Sequence, residues 1–151
     1  MRRQIWMVAC LVVAVFFWVN SAAAQPVVRL IAPGGTIAMK IDPVKKAPVP
    51  AISGEDLLAT VPDISKYAAV EVENLSNVPS DYMDAARWVG LQKAVKTALA
   101  RPEVAGVVVS HGTDTLEETA YFLDLTVKSE KPIVLIGAHL DSTSEKAKVS
   151  A

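Results

Sequence analysis

The sequence predicts an α/β chain: an open, mostly parallel sheet with helices on both faces. Three observations predict it. From Val27 to Ile136 short apolar runs alternate with amphipathic stretches, as strands joined by crossover helices do. Val104 to Val109 is a valine-rich run, the pattern of a strand buried on both faces. Glycines follow two of the apolar runs, at Gly34-Gly35 and at Gly112, where a chain leaving a strand has to turn.

The elements follow in order. Val27 to Ala32 supplies the first strand, ended by Pro33-Gly34-Gly35. Met39 to Pro50 holds three prolines and three lysines and reads as a surface loop. Ser53 is placed to cap a short helix that runs to about Thr60 and is stopped by Pro62. Val70, Val72 and Leu75 then alternate with Glu71, Glu73 and Asn74, which predicts a strand with one wet face, near a sheet edge. Between Met83 and Ala100, Trp88, Leu91, Val95 and Leu99 recur at spacings of three and four, an amphipathic helix closed by Arg101-Pro102. After the valine strand, a helix is expected from Thr115 to about Lys128, with Thr115 and Glu118 spaced as a capping box. Ile133 to Ile136 is the last strand. The count is four strands and three helices, with no internal repeat to compete with it.

The ends and the charge bound the function. Arg2 and Arg3 precede an apolar run from Ile5 to Val19 and then Ala22-Ala23-Ala24, which reads as a signal peptide over residues 1–24. The run is about 15 residues, short of the ~20 a membrane span needs, so cleavage and a periplasmic or secreted product without stable membrane insertion are expected. Residues 25–138 would form the domain, and residues 139–151, polar and aperiodic, a divergent tail without a packing role. The leader carries only Arg2 and Arg3, so Lys+Arg falls from 15 to 13 against 16 Asp+Glu, a net of −3. That balance gives no electrostatic footprint for nucleic acid. Cys10 lies in the leader, so the mature part would lack thiolate chemistry. His111 and His139 are the only imidazoles and no metal-ligand spacing is present, so neither a metal nor an organic cofactor is expected.

In an open parallel sheet, ligands bind beyond the carboxyl ends of the strands. Two sequences fall there: Gly34-Gly35-Thr36, and His111-Gly112-Thr113-Asp114-Thr115. Neither is a nucleotide loop, since Gly34 to Met39 is not G-x-G-x-x-G and no G-x-x-x-x-G-K-[ST] occurs. A Gly-Gly-Thr turn is common in itself, and Asp and Thr are ordinary helix-start residues. One cap needs one such residue, however, and four functional side chains within five positions exceed that need.

Gly106 to Leu116, continued by Glu117-Glu118-Thr119-Ala120-Tyr121, Asp124-Leu125-Thr126, Lys131-Pro132 and Gly137-Ala138, resembles the second active-site signature of the asparaginase/glutaminase family. Ile31 to Ala38 resembles the first, with Pro33 where the family normally has threonine. The resemblance covers about Val27 to Ala138 and implies the Rossmann/flavodoxin-like N-terminal domain of an exported L-asparaginase. It implies Thr36 as the nucleophile that attacks the side-chain amide of asparagine, with glutamine a second candidate substrate, releasing ammonia through an acyl-enzyme. Thr113 and Asp114 match a second catalytic constellation, the threonine in activating amide or water and the aspartate at the substrate α-amino group. Ser80 matches the substrate-carboxylate serine, Asp81 stands where many members have glutamine, and Gly112 and Ala138 match substrate-binding backbone positions. Ser80 and Asp81 also stand where a cap for the following helix would. His111 is not the family's base, and a structural role is expected for it. The family is homotetrameric.

The sequence departs from the family in three places. No tyrosine occurs from Ile37 to Ser53, where the family has one on its mobile loop; Tyr67 and Tyr82 lie beyond it. The family's essential lysine has no counterpart, because Lys146 and Lys148 come too early and in another context. The C-terminal domain, which completes a neighbouring subunit's site, is not in these residues. The expectation is therefore a truncated asparaginase inactive on its own, with a non-catalytic remnant or amino-acid-binding module as the alternative.

Overall fold

The computed structural model describes residues 25–35, 38–42, 44, 46, 48–50 and 52–138. The expected signal peptide, the expected nucleophile Thr36 and the expected tail 139–151 lie outside the described residues.

Strand β1 (Val27–Gly34) is followed by β2 (Met39–Ile41) and β3 (Pro48–Pro50), then by helix α1 (Gly54–Ala59) and a 3-10 turn over Pro62–Lys66. Next come β4 (Ala69–Val78), a 3-10 turn over Ser80–Tyr82, and α2 (Ala85–Leu99). The described path ends with β5 (Val104–His111), α3 (Leu116–Thr126) and β6 (Ile133–Gly137). Four of the strands form one sheet in the order β4-β1-β5-β6, and every pair in it is parallel. This is the α/β architecture that the alternation of apolar runs predicts, with β4 at an edge as its wet face implied.

Strand parity assigns the two faces. Ile31, Val107 and Val109 project to one side, where they pack with Leu91, Val95, Ala98 and Leu99 of α2 and with Leu123 and Val127. Ile31, Leu91, Val95 and Val109 are fully buried, so the stripe read from helical spacing is the core. Val28, Leu30, Val70 and Val108 project to the other side and, with Leu57 and Leu58 of α1, line an apolar cavity of about 290 Å³.

Three local expectations are corrected. Met39 to Pro50 is no plain loop, because β2 and β3 pair antiparallel with Lys40 opposite Val49. Pro48 and Pro50 share the parity whose N–H groups point away from the partner, so the ribbon forms without the donors they lack. The capping box is at Ser53 and Asp56 rather than at Thr115 and Glu118: Ser53 Oγ accepts from Asp56 N, and Asp56 Oδ2 accepts from Ser53 N. Thr115 precedes α3 but makes no cap bond with its side chain, which donates instead to Ser80 O at 2.8 Å. Nor does Ser80 cap the long helix. Asp84 does, accepting from Arg87 N at 2.9 Å.

The wet face of β4 is an ion cluster. Arg29 reaches Glu71 at 3.0 Å and Glu73 at 2.8 Å, while Arg101 grips Glu71 from the turn before β5. The hydrogen bond from Arg101 holds the Glu71 carboxyl below its ordinary range. Both lie at the amino ends of the strands, away from the glycine turns, and their role is to tie β4, β1 and the α2–β5 turn together.

Candidate active site

The carboxyl ends of β1, β4, β5 and β6 meet at the two glycine turns. Gly34 and Gly35 have φ of +117° and +93°, a region that side-chain-bearing residues rarely occupy. Gly35 N donates to Val78 O at 2.9 Å, which anchors the turn to the end of β4. A Cβ on Gly35 would overlap Gly112 N and stand 2.5 Å from Gly112 Cα, so the two turns touch backbone to backbone. A Cβ on Gly112 would in turn overlap Ser80 Oγ. Three segments distant in sequence therefore converge only because these positions carry no side chain.

Ser80 is the hub. It is 3% exposed, and its Oγ lies 2.7 Å from Asp114 Oδ2 and accepts from Asp114 N at 3.3 Å. A carboxylate oxygen can only accept, so the Ser80 hydroxyl donates to Asp114. Its carbonyl takes the Thr115 hydroxyl, so both ends of Ser80 are held by the start of α3. Asp81 sits exposed in the same 3-10 turn, and Asp114 is exposed at its rim. The end of β6 closes the other side: a Cβ on Gly137 would meet Leu116 Cδ1 at 2.9 Å and Thr113 Cγ2 at 3.5 Å, and Ala138 follows. A cavity of about 390 Å³ flanks the first turn, lined by both apolar and polar residues, among them Ala32, Ala38, Ile52, Asn74 and Ser76.

Of the residues expected at the site, Ser80, Gly112, Thr113 and Asp114 are thus gathered in one place, with Asp81 and Ala138 at its edges. Thr36 lies outside the described residues, and the residue before it, Gly35, is at the centre.

Sequence reasoning expected a structural role for His111 but missed the partners beneath the site that give it one. His111 is 1% exposed; its Nδ1 lies 2.7 Å from Gly112 O and its Nε2 3.0 Å from Thr119 Oγ1. Trp88 Nε1 donates to the same Thr119 oxygen at 2.8 Å, and the Trp88 ring stacks on Phe122 with centroids 6.0 Å apart. Burial pushes the His111 pKa down, opposed by its bond to Gly112 and by the Glu118 carboxylate. One signal was available: Thr119 lies four residues before Leu123 on the buried face of α3, where an unpartnered hydroxyl would be costly.

Known proteins bear on this site. The family described as Asparaginase, N-terminal, matches residues 27–148. L-asparaginase 2 of Escherichia coli is 42% identical over 130 residues, covering 85% of this chain and 37% of that protein. L-asparaginase 2 of Bacillus subtilis is 43% identical over 138 residues, covering 85% and 36%. A probable cytoplasmic L-asparaginase from Campylobacter jejuni, known by its crystal structure, superposes with a TM-score of 0.71 at 39% identity, covering 80% of this chain and 35% of its own. The chain thus spans little more than a third of the length of these relatives. Within that span, it belongs to the asparaginase family, as an N-terminal asparaginase domain.

Proposed function

We propose that these residues form the N-terminal part of an amidohydrolase site that cleaves the side-chain amide of L-asparagine, with glutamine a second candidate. The observation that carries the reading is the contact between Gly35 and Gly112, because the residues that follow them, Thr36 and Thr113, then leave from a common point. In this reading Thr36 is the nucleophile, and its hydroxyl needs a neighbouring group to take its proton at neutral pH. Backbone N–H groups of the glycine turns face the oxyanion that forms on the amide carbon. Asp114 takes the α-ammonium group of the substrate and Ser80 its carboxylate, the Ser80 proton swinging from Asp114 to the incoming oxygen. Asp81 adds a second negative charge on the ammonium side.

The relatives are nearly three times as long as the matched span, so the site is read as one part of a larger one, completed by a lysine and by residues of a neighbouring subunit of a homotetramer. The test is a chimera in which residues 25–138 replace the matching segment of E. coli L-asparaginase 2. It is expected to release ammonia from asparagine, and Thr36→Ala is expected to lower the rate by at least about a thousandfold while L-aspartate still binds. A Thr36→Ala chimera as fast as its parent would sink the nucleophile assignment. Calorimetry on the chain itself is expected to detect L-aspartate; heat with aspartate but no ammonia from the chimera would favour the amino-acid-binding alternative.

Export to the periplasm is part of the same proposal, supported by Arg2, Arg3, the Ile5–Val19 run and Ala22-Ala23-Ala24. One relative, from Haemophilus influenzae, is a probable periplasmic L-asparaginase, whereas the Campylobacter relative is a probable cytoplasmic one, so the leader carries the argument. Terminal sequencing of protein recovered from the periplasm is expected to begin at Gln25; a start at Met1 in the cytosolic fraction would refute export.

A further inference from the structure

We propose that His111 is a positioning residue that aims the Thr113 N–H into the site, through a hydrogen-bond relay running Trp88, Thr119, His111, Gly112. The inference rests on the asparaginase reading for what the N–H does, but its geometry stands independently.

Each link has a forced direction. Gly112 O can only accept, so the His111 Nδ1 2.7 Å away carries the proton. The buried ring is held towards its neutral form, so Nε2 is bare and accepts the Thr119 hydroxyl at 3.0 Å. With its proton committed, Thr119 Oγ1 has lone pairs left, and the Trp88 Nε1 donor at 2.8 Å uses one. Trp88 is fixed by the stack on Phe122, and Thr119 is fully buried in α3. The tautomer of His111 is therefore set by Gly112 O, and the two helices complete the relay at no cost in an orphaned polar group.

The consequence lies at Gly112. Among the described residues no peptide bond is cis, and across a trans peptide the carbonyl and the next N–H point in opposite directions. Holding Gly112 O towards the buried imidazole therefore turns the Thr113 N–H away from the core, towards the crevice at the strand ends. Glycine at 112 is required by the approach of Gly35 and Ser80, but glycine leaves this peptide free to rotate. His111 removes that freedom. It touches no substrate and acts through the peptide it holds.

The test uses the full chain. Nitrogen NMR of the ring is expected to find the proton on Nδ1 and a bare Nε2 at neutral pH; a proton on Nε2 alone would overturn the relay. His111→Asn puts an N–H where Nδ1 stood, whereas His111→Gln reaches Thr119 but leaves Gly112 O without its donor. The Thr113 amide resonance is expected to stay in place in the Asn variant and to move in the Gln variant. L-Aspartate affinity is expected to fall about tenfold in the Gln variant and no more than about twofold in the Asn variant, the loss of one hydrogen bond being read as a ratio. A role in packing alone would lower the melting temperature of both variants without separating them, and equal Thr113 shifts in the two would refute the proposal. Should the Gln variant not fold, Trp88→Phe keeps the stack but removes the donor to Thr119, and an unmoved Nε2 resonance would refute the relay. If the wild-type chain gives no response to aspartate, the expected binding by this chain alone fails, the chimera still decides the proposed function, and the Thr113 comparison still decides the role of His111.

Discussion

Gly35→Ala is expected to abolish L-aspartate binding and to lower stability by more than about 3 kcal/mol. Two costs add. At φ +93° any side chain is strained, which is worth on the order of 1–3 kcal/mol. The new methyl would also overlap Gly112 N and stand 2.5 Å from Gly112 Cα and 2.7 Å from the His111 carbonyl carbon. These are backbone atoms, which cannot rotate aside, and carbon pairs settle near 3.5–4.0 Å, so the turns would have to part by roughly 1 Å. That is enough to misplace reacting groups held by both turns. Gly90→Ala is the matched control. Gly90 lies inside α2 with nothing within 4 Å of an added Cβ, so alanine there is expected to stabilise by about 0.5–1 kcal/mol and leave aspartate binding unchanged. Chemical denaturation and calorimetry on the two variants read both quantities. A Gly35→Ala chain that binds aspartate as the parent does would remove the convergence of the turns from the account of the site.

How far this arrangement was legible in the sequence depends on the range of the interactions. Helix α2 was plain because Leu91, Val95 and Leu99 repeat at the helical period, and β5 because a valine run has no amphipathic alternative. The ribbon of β2 and β3 was not, since three prolines outweighed a pairing in which two of them happen to fall on the harmless parity. The site divides in the same way. His111 to Thr115 announced itself by local density of functional groups, and the family resemblance supplied Ser80. That Ser80 Oγ is bonded to Asp114, 34 residues later, is a tertiary fact that no spacing encodes. Thr115 shows the hazard most directly. Its spacing to Glu118 satisfies the capping pattern, but the carbonyl of Ser80 lies 2.8 Å from its hydroxyl and takes the bond. A local rule lost to a partner that only folding brings near.

Leu123→Ala is expected to do the reverse of Gly35→Ala, lowering stability by about 2–5 kcal/mol while changing aspartate affinity by less than about threefold. Leu123 is 1% exposed and packs in the core with Ile31, Leu91, Val107 and Val109, so truncation removes apolar contact and leaves a cavity between α3 and the sheet. In a domain of this size the loss corresponds to a fall in melting temperature on the order of 10 °C. The site should be spared because its geometry is fixed at the strand ends, by the abutting glycines, by Ser80 on Asp114 and by Thr115 on Ser80 O, none of which runs through Leu123. Thr119 stands one turn nearer the site on the same face, and its bond to His111 marks where core packing gives way to positioning. Calorimetry at a temperature well below the lowered midpoint separates the two effects. Loss of aspartate binding in a folded Leu123→Ala chain would mean that the site depends on the packing of α3 along its length, and that the short polar contacts at its start do not suffice to hold it.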